Sequence, residues 1–204
     1  MKDSQENKIK RVSYHKWKKG QKLEKEYHDT HNSNFNDGWI LHKNFYRQYF
    51  KYLEIDKDLR NKSILEIGPA NFPMLGYCKN LGGCYVIEPI VSEYLNKICF
   101  SRNIKILTTA AEYLKFPEVD EIWLCNVLQH VINPDLIILK SKESAKVIRF
   151  FEPVNSIIDS MHHWTFDLDY FKNYFGDCVK HYKNHPKAVY SHKHECAYGF
   201  WSKK

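Results

Sequence analysis

The chain lacks any hydrophobic run long enough to cross a bilayer. Its longest purely aliphatic stretch is Leu136 to Leu139, far short of the roughly 20 residues of a membrane helix. No apolar segment follows the opening charges MKDSQENKIKR, so no secretory signal is expected. No Cys-x-x-Cys occurs either. The six cysteines, at positions 78, 84, 99, 125, 178 and 196, are never closer than six positions apart. Scattered thiols without an export signal read as reduced, buried residues of a cytoplasmic protein. Internal repeats, low-complexity stretches and linkers are also missing, apart from a polar first dozen residues.

What is present suits one ordinary core. Of 204 residues, 43% are hydrophobic, which excludes disorder over most of the length and favours a single domain. The net charge of +7 is carried by the ends. Residues 1–27 sum to +5, residues 179–204 to +5, and the stretch between to −3. Solvated Lys-rich tails are the plainer reading, and contact with an anionic substrate or polymer is the alternative.

Residues 14–30 and 39–54 carry apolar side chains at helical spacing, separated by the turn-rich HNSNFNDG. From Lys62 the pattern changes to short apolar runs: SILEIG, CYVIEP, IKILTT, EIWLCNVL and KVIRFFEP. Helical stretches such as SEYLNKICF and PDLIILKSK lie between them, so βα units and a parallel sheet are expected. FDLDYFKNYFG predicts a further helix stopped by Gly176, and the ending predicts a terminal antiparallel hairpin.

The most informative stretch is Ser63-Ile-Leu-Glu-Ile-Gly-Pro-Ala70, with Glu88 closing the next strand. An apolar strand, a glycine that lets a ligand approach the backbone, and a carboxylate 20 positions later describe a nucleoside pocket. A dinucleotide site would want glycines at 68, 70 and 73, and this chain has Gly68, Ala70 and Pro73. No Tyr-x-x-x-Lys follows to serve a short-chain dehydrogenase.

LEIGPA, IEP, TAAEYLKF, LCNVLQHV and FFEP, in that order, resemble the strand ends of the class I S-adenosylmethionine-dependent methyltransferases over roughly residues 60–204. The resemblance implies an α/β, Rossmann-like three-layer sandwich. Its sheet would be mostly parallel and seven-stranded, with a terminal antiparallel hairpin and N-terminal helices. It divides the chain into an N-terminal helical extension or lid, 1–60, and a methyltransferase core, 61–204. The implied cofactor is S-adenosyl-L-methionine. Glu66 with Gly68, Pro69 and Ala70 would surround its methionine part. Glu88, beside Pro89, would hold the ribose, Ala110, Ala111 and Glu112 would meet the adenine, and Asn126, Val127 and Leu128 would run along the cofactor toward the methyl group. Ala70 and Ala110 depart from the family pattern, which more often has glycine and aspartate there.

Gln21, Glu24 and Tyr27-His28 are similar to a Gln-x-x-Glu-x-x-(aromatic)-His pattern ahead of the core in some bacterial members that modify small molecules and glycans. This makes Tyr27 and His28 candidates for substrate contact, on a helix able to fold over the strand ends and exclude water. Three further histidines border the expected site: His130, and the pair His162 and His163 after the fifth strand. A hydroxyl acceptor needs a base, so all three are catalytic candidates. His192, His194 and Cys196 alternate on one strand face, but three ligands in one short run fall short of a structural zinc site, and no metal is expected.

The expected activity is methyl transfer to an oxygen or nitrogen of a small-molecule or glycan-like acceptor. An RNA or DNA methyltransferase is the first rival, favoured by charge. It is disfavoured by NVLQHV, where amino-methylating nucleic-acid enzymes often carry Asn/Asp-Pro-Pro-Tyr/Phe. A non-catalytic cofactor-binding protein is the second.

Overall fold

The computed structural model describes residues 11–31, 34–183 and 195–203. Five short parallel strands form most of the sheet: β1 (Ile64–Ile67), β2 (Tyr85–Ile87), β3 (Lys105–Leu107), β4 (Val119–Cys125) and β5 (Ala145–Val154). Two antiparallel strands, β6 (Lys180–Tyr182) and β7 (Glu195–Ser202), close one edge. The order is β3-β2-β1-β4-β5-β7-β6. This is the Rossmann-like, mostly parallel seven-stranded sheet with a terminal hairpin that the sequence implies.

The helices are α1 (Tyr14–His31), α2 (Phe35–Tyr52), α3 (Glu93–Ser101), α4 (Pro134–Ser144) and α5 (Leu168–Phe175). Side chains alternate between the two faces of a strand, and both faces of the central strands are covered. Trp123 and Phe151 pack with α2 and α3 through Tyr49, Leu53 and Leu95. Ile122, Leu124 and Phe150 pack with α4 and α5 through Ile137, Phe171 and Phe175. Helix, sheet and helix make three layers.

Helix ends follow side-chain chemistry. Ser92, Asn133 and Asp167 cap α3, α4 and α5, each accepting a backbone N–H in the first turn. Gly176 ends α5 with φ +69°, a conformation glycine adopts at little cost. Helix α2 starts four residues earlier than the apolar spacing predicts. Asn34, inside the turn-rich segment, accepts the Asp37 N–H at 2.9 Å, so residues that read as turn formers cap a helix.

One crossover is unusual. Between β1 and β2 there is only a single 3₁₀ turn, Met74–Tyr77, where a parallel connection usually carries a helix. Helix α2 covers that place instead. Tyr46 Oη donates to the Phe72 carbonyl at 2.7 Å, Tyr77 Oη donates to the Trp39 carbonyl at 2.9 Å, and the Trp39 and Tyr77 rings stack at 3.9 Å. All six cysteines are free. No helix among the described residues is long and apolar enough to cross a membrane.

Candidate active site

The loops that leave the carboxyl ends of the strands are tied down by buried acids, each accepting two backbone N–H groups. Glu66 takes those of Met74 and Leu75 at 2.8 and 3.0 Å, Glu88 those of Ala70 and Ile90 at 3.0 and 2.9 Å. Glu112 takes those of Ile132 and Asn133 at 2.7 and 2.9 Å, and Glu152 those of Val127 and Leu128 at 3.0 and 3.2 Å. Buried backbone donors need such partners. Burial nonetheless dominates three of the acids, pushing Glu66 up to about 7 and Glu88 and Glu152 up to about 8. For Glu88 the nearby Glu24 carboxylate adds to the rise.

Backbone conformation matters equally. Gly68 has φ +64°, and its N–H donates to the Ile87 carbonyl at 2.8 Å. Ala70 has φ +53° and Asn126 φ +57°. A left-handed residue is easy for glycine and tolerable for asparagine, but alanine pays for its Cβ there. The departure at Ala70 thus falls on a position whose geometry favours glycine.

Helix α1 roofs the strand ends. Trp17, Gln21, Glu24 and His28 lie on one helical face. Trp17 is buried against Val12, Ala110 and Ile132 and donates its indole N–H to the His130 carbonyl at 3.0 Å. Trp164 donates to the next carbonyl, that of Val131, at 2.8 Å. Gly20 allows the close approach, since a Cβ there would sit 2.8 Å from His163 Nε2. Under α1 lie two cavities of about 180 and 50 Å³, both bordered by Glu24 and Glu88.

Glu24 is the centre of a charged cluster. Its carboxylate is 3.7 Å from His130 Nδ1 and 3.9 Å from His28 Nε2, and it accepts from Gln21 Nε2 at 3.1 Å. The His162 ring packs against His130 at 4.7 Å and carries Asp159 at 2.8 Å from its Nδ1. Burial alone would raise the Glu24 carboxyl, but His130, His28 and His162 outweigh it and hold it at about 2. Burial lowers His130, with Glu24 acting the other way. Gln21 Oε1, His130 Nδ1 and His163 Nδ1 are buried without a hydrogen-bond partner among the described residues.

The sequence candidates divide clearly. Gly68, Glu88, Pro89, Ala110, Ala111, Glu112, Asn126, Val127 and His130 border the smaller cavity, and Ala70, Glu88 and His28 the larger. Glu66, Pro69 and Leu128 border neither. Both Glu66 oxygens are turned to the loop amides, and the Leu128 side chain is fully buried in the core. Tyr27 is 39% exposed on the flank of α1, its ring edge-on to His28. His162 backs His130, and His163 is buried beneath α1. His192 and His194 lie outside the described residues; among those described, no group of three or more His, Cys, Asp or Glu could hold a metal. Trp17 carried no sequence signal as a site residue. Glu24 did, through the Gln-x-x-Glu-x-x-Tyr-His pattern that runs from Gln21 to His28.

The sequence matches no protein-family model and no curated protein sequence. Solved structures do match its shape. Magnesium protoporphyrin IX methyltransferase from Synechocystis PCC 6803, with bound SAM, superposes with a TM-score of 0.56 at 11% identity, over 80% of this chain and 81% of that one. MccD protein gives 0.51 at 13% identity, over 78% and 95%. Coclaurine N-methyltransferase, bound to N-methylheliamine and SAH, gives 0.52 at 13% identity, over 68% of this chain and 50% of that one, so this chain spans half the length of that enzyme. The chain has the class I methyltransferase fold.

Proposed function

We propose that this protein is an S-adenosylmethionine-dependent methyltransferase acting on an oxygen or nitrogen of a small-molecule or glycan-like acceptor. The observation that carries the reading is Glu88. It ends β2, opposite the Gly68 turn, and borders both cavities beneath α1. A carboxylate has about four acceptor sites, and two backbone N–H groups use two of them, which leaves capacity for a ribose diol. The wall of Ala110, Ala111 and Val127 suits an adenine face, and the unpartnered Gln21 Oε1 suits a ligand rich in polar groups.

Bound there, the sulfonium cofactor would supply an electrophilic methyl carbon. The chain's own part is to hold the nucleoside, exclude water and take a proton. Trp17, Gln21 and Glu24 would close over the cofactor, and both cavities are smaller than the roughly 300–1,000 Å³ of ordinary ligand pockets, so α1 has to shift to admit it. Of the three candidate histidines His130 is the base best supported, because it alone borders the cavity; His162 would back it, and His163 would seat α1. The His130 imidazole would take the proton released by the acceptor oxygen or nitrogen as it is methylated.

Two measurements test this. Calorimetry should show S-adenosylhomocysteine binding and no NAD binding, because Ala70 and Pro73 spoil a pyrophosphate loop; the reverse result overturns the reading. A labelled-methyl screen against nucleotide sugars, phenols, amines and RNA then identifies the acceptor. Transfer confined to RNA would make it a nucleic-acid enzyme, and binding without any transfer a cofactor-binding protein.

A further inference from the structure

The acid that faces His130 does not belong to the sheet. It is carried by α1, the helix that must move for a cofactor to enter, and this gives the roof a chemical as well as a steric role.

We propose that Glu24 is the positioning residue for His130, so that the acid–base pair is complete only when α1 is docked over the cleft. The inference rests on the reading of His130 as base. Its geometry is independent of any ligand. Gln129 Nε2 lies 3.3 Å from His130 Nε2, and with the amide donating, the neutral ring carries its proton on Nδ1. That nitrogen is the one buried without a hydrogen-bond partner among the described residues, 3.7 Å from Glu24 Oε2. A carboxylate behind Nδ1 orients the imidazole and stabilises its charged form, and the Nε2 lone pair, held by the Gln129 amide, is released when an acceptor displaces that contact. Gln21, one turn before, holds the carboxylate at 3.1 Å, and the Trp17 indole grips the His130 carbonyl from the same helix face.

Other charges act on the same ring. His28 from α1, and His162, His163 and Asp159 from the loop after β5, all face the cluster, and Glu88 faces Glu24 across it. Burial is the main influence against protonation of His130, and His162 and His28 add to it. Glu24 is the strongest influence in favour, with Asp159 acting the same way from behind His162, so Glu24 is the group whose removal should lower the His130 midpoint.

The test is an NMR titration of the histidine Cε1–H signals in the full chain, with His130 assigned from the His130→Ala spectrum. Glu24→Gln, with its helix content checked by circular dichroism, should lower the His130 midpoint by about one pH unit, a tenfold loss of proton affinity. Glu24→Asp should recover part of that loss. In the labelled-methyl assay Glu24→Gln should lower turnover and move the acidic limb of the pH profile in the same direction. A His130 midpoint unchanged in Glu24→Gln overturns the proposal outright. If the midpoint moves but His130→Ala transfers methyl at the parental rate, His130 is not the base, and Glu24 loses its catalytic role while the contact itself stands.

Discussion

Gly68 and Val127 meet where the loops after β1 and β4 converge: a Cβ on Gly68 would lie 2.3 Å from Val127 Cγ2. The glycine is therefore required twice, by its φ of +64° and by a neighbour within the protein. The backbone of Val127 is itself anchored, because its N–H donates to Glu152.

Gly68→Ala should cost about 2–5 kcal/mol of folding stability, adding the left-handed penalty to overpacking. Urea unfolding measures it. A loss below about 1 kcal/mol would show that the loop yields easily and that the contact is not restrictive.

Ala70 lies two residues on, with φ +53°. Ala70→Gly should relieve that strain and stabilise the fold by about 0.5–1 kcal/mol, the gain being reduced by the greater freedom of glycine in the unfolded chain. Its N–H would still reach Glu88. Equal or lower stability in the same unfolding experiment would contradict this account of the position.

On the proposed reading, Glu88 should make cofactor binding pH-dependent. Burial, aided by Glu24, raises its carboxyl to about 8, so below that value the neutral acid predominates and a ribose diol loses its charged acceptor. Affinity for S-adenosylhomocysteine should rise with pH up to about 8 and fall about tenfold per unit below it. The folding contribution has the opposite sense. A carboxyl raised above its unfolded value stabilises the fold at acid pH and loses that contribution as pH rises through about 8. Calorimetry across pH 6 to 9 reads the binding term. Glu88→Gln should abolish the slope and cost on the order of 1.5–3 kcal/mol of binding at pH 8.

Truncation separates the two N-terminal helices. Removal of residues 1–33 deletes α1 and should leave a folded sheet with an open cleft. Removal of residues 1–60 also takes α2 and its C-cap, whose Phe45, Tyr49 and Leu53 are part of the cluster around Trp123 and Phe151. Each large apolar side chain lost from a core costs about 2–5 kcal/mol, and several together exceed the stability of an ordinary domain. Circular dichroism melting should therefore show a cooperative transition for the first truncation and none for the second.

The strands were legible because buried parallel strands are short apolar runs, continuous in IWLC and broken only by Glu66 in ILEI. Glu88 was legible from its distance to Gly68, and Gly176 from its place after FKNYF. Glu66 and Glu112 show a different limit. A sequence displays an acid at a strand end, but the amides it turns to belong to loops whose path is set by packing, and Glu112 reaches N–H groups 20 and 21 positions away. Helix α2 was legible as a helix and illegible as a layer, since its partners on β4 and β5 lie far along the chain.

The arrangement of α2 also bears on how the chain is made. Tyr49 packs on Phe151 with ring centroids 4.5 Å apart, and at ribosomal speeds of about 5–20 residues per second the second ring is synthesised roughly 5–20 s after the first. Through that interval Tyr49 has yet to meet the β5 ring that covers it in the folded protein. The helical layer is thus made well before β5, and its aromatic side chains must wait for the later half of the chain before their core is complete.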